Sequence, residues 1–265
     1  MTEAVSNRSR LDEALEAFLT PMGPVRPTPL RALTGGAVPP RLDTAVGEVA
    51  IVRRGEGPPV LLVHGWQGRS SDLLPIAEAL GRAGRAVALI DLPAHGDSAG
   101  LRTDLAASAV ALRDVIRRIG AQAVVAHSVG AAATAEAMRL GARPARVVLI
   151  GAPAAYRDYV ERAMRAAGLD AGERRAFEAA LAARGIDVDA LQVPLAAAGL
   201  EAPALFVHSD DDRVVPIGDA RRSSAAWRGS RLEVVTGLGH RRLLADPGVV
   251  ATAVAHVGPA GGEPR

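Results

Sequence analysis

From residue 49 onward, short, mostly apolar runs alternate with longer stretches whose apolar residues recur at helical spacing. The runs at 49–53, 59–64, 86–91, 123–127, 146–151, 204–208 and 232–236 are short and rich in Val, Ile and Leu, and they predict strands. Between them, 72–82, 104–119, 129–140, 218–227 and 247–257 predict helices, the first with Pro75 in its opening turn. Strands that are apolar on both sides are covered on both faces. The alternation therefore predicts an α/β fold, a mostly parallel sheet with helices on both faces.

Two stretches depart from this rhythm. Apolar residues at Leu11, Ala14, Leu15, Phe18 and Leu19 predict a helix that Pro21 stops, and the proline- and glycine-rich run from Pro21 to Pro40 predicts a connector without regular structure. Residues 1–44 are thus expected to be an N-terminal helix and arm packed on a main domain of residues 45–258, with 259–265 a frayed tail. The second departure is 152–200, which has no strand pattern but has helical segments around Tyr159, Phe177 and Leu191. It begins where a strand ends, the edge at which ligands of open α/β sheets bind, and it is expected to form a small helical cap over a pocket.

At 124–131 the pattern itself suggests chemistry. A β-branched run ends in Ala126-His127-Ser128-Val129-Gly130, and an alanine-rich helix follows at once. Small residues two places before and after the serine permit a sharp strand-to-helix turn that displays Ser128. A serine nucleophile needs a base, and the base needs an acid to orient it. Two later loops follow predicted strands. His208-Ser209-Asp210-Asp211-Asp212 supplies three acids, any of which could serve; Gly237-Leu238-Gly239-His240 supplies a histidine between flexible glycines and the last helix. Backbone donors for a developing oxyanion are expected from Val129, at a helix start, and from Trp66 in His64-Gly65-Trp66.

Composition narrows the field. The 265 residues are 49% hydrophobic, enough for one substantial core, and contain no cysteine, which excludes disulfides, thiol nucleophiles and thiolate metal sites. All 31 basic residues are arginine, scattered among 29 acids to leave a net charge of only +2. No basic stripe with interleaved aromatics is present, so nucleic acid is not expected as a partner. No signal-peptide pattern is read in Met1–Arg10, and no apolar run approaches the roughly 18 residues that would cross a bilayer. These features lead us to expect a cytoplasmic monomer or homodimer with no membrane span.

The motifs resemble those of the α/β-hydrolase superfamily, in its capped group of serine esterases, over roughly 49–257. The resemblance rests on His64-Gly65-Trp66, the Asp91-Leu92-Pro93-Ala94-His95-Gly96-Asp97-Ser98 turn and Ala126–Gly130. It rests also on Asp212-Arg213-Val214-Val215-Pro216 and on Gly239-His240 before Asp246-Pro247. It implies an α/β-hydrolase fold and a Ser128, Asp212, His240 triad, selecting Asp212 over Asp210 and Asp211 and leaving His64, His95 and His127 to the scaffold. The implied reaction is cleavage of a small-molecule carboxylic ester through an acyl-enzyme, with no cofactor and no metal. Thioesterase, acyltransferase and carbon–carbon bond hydrolase chemistry with the same triad are the alternatives, as is a slow-turnover ligand-binding protein. Ala126 and Ser209 stand where this family usually has glycine. With only seven aromatic residues in the chain, the expected pocket is apolar, with Trp66, Tyr156 and Tyr159 at its wall.

Overall fold

The computed structural model describes residues 9–21 and 29–259. Expectations for the first eight residues, for 22–28 of the connector and for the tail beyond 259 lie outside the described residues. Among these, eight strands form one sheet: β1 (Arg41–Thr44), β2 (Gly47–Arg54), β3 (Val60–Val63), β4 (Val87–Ile90), β5 (Ala123–His127), β6 (Arg146–Ile150), β7 (Ala204–Ser209) and β8 (Arg231–Val235). Their spatial order is β1-β2-β4-β3-β5-β6-β7-β8. At one edge β1 pairs antiparallel with β2 and β2 antiparallel with β4; the other five pairings are parallel, with β5 between β3 and β6.

The period-2 alternation of strand side chains divides the core in two. On β5, Val124 and Ala126 face one cluster, which includes Leu112 and Val115 of α4 (Leu105–Ile119) and most of α5 (Val129–Arg139). Ala123 and Val125 face the other, packed by Ile76 and Leu80 of α3 (Leu74–Arg82) and by Val249 and Ala253 of α10 (Pro247–Val257). Every residue of β3, β4 and β5 is buried, as a sheet covered on both faces requires. Caps fix the helix ends. The Asp104 carboxylate accepts from the Ala107 amide, Gly120 ends α4 at φ 61°, and Asp246 accepts from the Val249 amide with Pro247 beside it.

The stretch between β6 and β7 folds as three helices, α6 (Tyr156–Ala166), α7 (Ala171–Ala182) and α8 (Val193–Ala197). Helices centre on Tyr159 and Phe177 as expected, but Leu191 is not helical. Its carbonyl accepts from the Tyr156 amide, and Gln192 bridges Ala155 before α8 begins.

The connector also departs from expectation. Pro29–Leu33 is a helical turn, α2, and Arg41–Thr44 is a paired edge strand. α2 is too short to show periodicity; it is held by Leu30, fully buried against the Ile76 and Leu80 side of the sheet. β1 alternates exposed and half-buried positions and carries Arg and Asp, so its composition resembles a loop although its backbone is paired. The N-terminal helix, α1 (Arg10–Leu19), is observed with a Ser9–Asp12 capping box.

Candidate active site

β5 delivers its chain directly into α5, and the residue at the junction is Ser128, at φ 53° and ψ −127°. Non-glycine residues rarely adopt positive φ, and such strain persists only where packing enforces it. Here the enforcement is close contact. A Cβ on Gly130 would lie 2.2 Å from the His64 carbonyl oxygen, and one on Gly65 would lie 2.8 Å from the Ser128 Cβ. Gly130 within the junction and Gly65 in the loop packed on it must therefore lack a side chain, whereas Ala126, still within β5 and fully buried, has no positive φ and needs no glycine.

Two loops from the far side of the sheet complete the arrangement. His240 Nε2 lies 2.9 Å from Ser128 Oγ, and His240 Nδ1 lies 2.7 Å from Asp212 Oδ2. The other oxygen of Asp212 accepts from the amides of Val214 and Val215 at 2.8 and 2.9 Å. Burial raises the Asp212 carboxyl, but the His240 hydrogen bond, the two amides and the His240 charge outweigh it and hold Asp212 below the usual carboxylate range. Asp212 is thus kept ionised beside a histidine whose other nitrogen faces a serine. That geometry orients the imidazole with Nδ1 protonated and Nε2 free to accept.

The remaining aspartates of the acidic loop have partners of their own. Asp210 accepts from the Thr236 hydroxyl at 3.1 Å, and Asp211 accepts from the Gly239 amide at 2.8 Å and from the Ser209 hydroxyl. Ser209 Oγ also accepts from the Leu238 amide at 3.1 Å. Ser209 and Asp211 therefore tie the acid loop to the loop that carries His240. The sequence offered one signal for this, a hydroxyl where glycine is usual.

Three buried histidines surround the serine without contacting its hydroxyl. His127 donates from Nε2 to the His240 carbonyl at 3.0 Å and lies 4.7 Å, centroid to centroid, from the His240 ring. His64 donates from Nδ1 to the Gly65 carbonyl and accepts from the Leu92 amide; His95 donates to the Pro93 carbonyl and accepts from the Gln67 amide. Burial, reinforced at His127 by the neighbouring His240 charge, lowers these rings to about 3 for His127 and about 4 for His64 and His95. Their contacts fix the Gly65–Gln67 loop. Among the described residues neither the Trp66 nor the Val129 amide has a hydrogen-bond acceptor, and Val129 is the first residue of α5, where amides have no partner within the helix.

The family model described as the alpha/beta hydrolase family matches residues 60–253, from β3 into the last helix. The chain belongs to the alpha/beta hydrolase family. Among solved structures, this hydrolase is similar to an esterase from Exiguobacterium antarcticum, at 19% identity and a TM-score of 0.65, covering 83% of this chain and 99% of that one. A thermophilic esterase from Thermogutta terrifontis gives 20% identity and a TM-score of 0.60, over 83% of this chain and 97% of the other. A meta-cleavage product hydrolase from Pseudomonas fluorescens IP01 gives 18% identity and 0.62, again over 83% and 97%. No curated protein matches the chain.

In this hydrolase two cavities share Trp66 and Tyr159 as a common wall. One, of about 350 Å³, contains Ser128 and His240 and is bordered by the polar groups of Gln67, Asp72 and Arg241. The other, of about 550 Å³, is bordered by Val129, Leu105, Tyr156 and the alanines of α6, and its far side is formed by α1. Tyr156 thus faces the second cavity, and Tyr159 and Trp66 face both. Desolvation raises the Tyr159 phenol against the pull of the neighbouring Ser128 hydroxyl, and the Arg162 guanidinium sits 4.4 Å from its ring. Among the described residues no helix is long and apolar enough to cross a membrane.

Proposed function

We propose that the protein is a serine hydrolase that cleaves carboxylic esters through an acyl-enzyme. The observation that carries this reading is the continuous hydrogen-bonded line from Ser128 through His240 to a buried, ionised Asp212, at 2.9 and 2.7 Å. Ser128 Oγ attacks the ester carbonyl as its proton passes to His240 Nε2, while the Asp212 carboxylate stabilises the imidazolium. The negative carbonyl oxygen is received by the Trp66 and Val129 amides, fixed in advance by the Gly65 and Gly130 contacts. As the tetrahedral intermediate collapses, the carbon–oxygen bond to the alcohol breaks and the alcohol takes the proton from His240. Water then adds to the acyl-enzyme with His240 again as base, and the acid leaves with Ser128 restored.

Strain at Ser128 suits this role, because the turn holds Oγ clear of the helix that begins beside it. The helices between β6 and β7 act as a cap, with Tyr159 beside the nucleophile. Turnover of p-nitrophenyl esters by the purified protein and by Ser128→Ala tests the reading. The expected loss is on the order of 10⁴-fold or more in kcat, and equal turnover by both proteins would refute it.

A further inference from the structure

The geometry points to α1 as the end wall of an acyl chamber and as the element that sets the acyl length accepted. This inference rests on the serine-hydrolase reading and extends it to a substrate class, esters of unbranched acyl groups of medium length. The larger cavity begins at Trp66 and Val129, whose amides receive the carbonyl oxygen in that reading, and runs away from Ser128 between α1 and α6. The smaller cavity, on the His240 side, carries Gln67, Asp72 and Arg241 and suits the departing alcohol. Of the two cavities beside Ser128 the larger, lined by alanines, aromatic rings, Leu105 and Val129 with Arg162 as its one charged side chain, is the one whose wall suits an acyl chain, reached past Trp66 and Tyr159.

Ala14, Ala17 and Phe18 share one face of α1, at the three- and four-residue spacing that brings helical side chains together. Across the cavity, Tyr159, Ala163 and Ala166 of α6 repeat the arrangement. The facing methyl groups leave the space between these helices unfilled, although both helices are firmly attached. Phe18 packs 5.8 Å from the Tyr156 ring and 5.5 Å from the Phe177 ring. Arg10 donates to the Gly168 carbonyl at 3.2 Å, the Thr103 amide donates to the Leu19 carbonyl at 2.8 Å, and Arg102 pairs with Glu16. α1 therefore bridges the cap helices and the main domain, and its alanines are a fixed boundary. At about 30 Å³ per methylene-sized group, a chain of roughly eight carbons occupies somewhat under half of the volume, which leaves room for the open mouth.

The test compares kcat/KM for p-nitrophenyl acetate, butyrate, octanoate and dodecanoate in wild type, Ala14→Phe and Ala17→Leu. Each methylene brought into contact adds roughly fourfold to kcat/KM, so wild type should favour octanoate over acetate by well over tenfold. Both variants should lower the octanoate-to-acetate ratio at least tenfold. Ala17 is exposed, so its variant narrows the chamber without altering a buried position. A ratio unchanged within twofold in both folded variants overturns the assignment and leaves the hydrolase reading intact. Calorimetric titration of sodium octanoate into Ser128→Ala supplies a readout without turnover. Binding weakened at least tenfold by adding Ala14→Phe supports the chamber even if no ester is hydrolysed, an outcome that would refute the hydrolase reading alone. Octanoate binding that ignores the Ala14 substitution overturns the chamber.

Discussion

Acid should unfold this protein through its histidines well before its carboxylates titrate. His64, His95 and His127 are buried, and burial holds them at about 4, 4 and 3, against 6.5 in an unfolded chain. The folded-state values are depressed. Between the folded and unfolded values the unfolded chain binds protons that the native state refuses, so stability falls as pH falls through this window. At pH 5.5 each ring is about 90% protonated when unfolded and only a few per cent when folded, so the three together give a slope on the order of 3–4 kcal/mol per pH unit. Integrated from pH 7 to pH 5, the loss is about 5–6 kcal/mol, comparable to the whole stability of an ordinary domain. Asp91 and Asp104, raised by burial, act in the opposite sense nearer the carboxylate range, so the slope is steepest above about pH 5. The depressed Asp212 adds its own loss only at still lower pH. Urea unfolding followed by circular dichroism between pH 7.5 and 5 measures the slope, and His127→Gln should remove about one third of it. A stability constant across that range, or a slope that His127→Gln leaves unchanged, would refute the reasoning.

Three further outcomes follow from individual contacts. Gly65→Ala places a methyl group against the Ser128 Cβ and should lower kcat/KM by about 100-fold, with a much smaller change in melting temperature, because the displacement falls on the reacting groups. Asp211→Ala frees the Gly239 amide and the Ser209 hydroxyl, so kcat should drop about tenfold; Asp210→Ala, with the same charge change, should leave kcat within about twofold, both measured by steady-state kinetics. Leu30→Ala should cost about 2–4 kcal/mol in urea unfolding, since the side chain is fully buried, whereas an unstructured connector would show no cost.

The parallel sheet and its order of elements were legible because each central strand is apolar on both faces and helices such as α3 and α4 are apolar on one. The polar edge strand β1 and the single-turn α2 were not, since both are held by long-range pairing and by Leu30 and leave no periodic trace. Ser128 was legible from its small neighbours, and the structure brings His240 and Asp212 to it. Residue types could not separate the three aspartates. What separates them is which strand end each one meets: Thr236 for Asp210, Gly239 for Asp211 and the His240 ring for Asp212. The place of α1 was equally hidden. Its amphipathic pattern showed that one face is covered, but that Ala14 and Ala17 border a cavity leading to Val129 depends on how far α6 stands from it.

In the proposed reaction everything depends on Ser128 being a nucleophile activated by His240. Reaction with a fluorophosphonate, followed by intact-protein and peptide mass spectrometry, tests it most directly. One adduct per chain is expected, on Ser128, with labelling slowed at least 100-fold in His240→Asn. No adduct on the folded protein, an adduct on another serine, or equal labelling rates with and without His240 would contradict it.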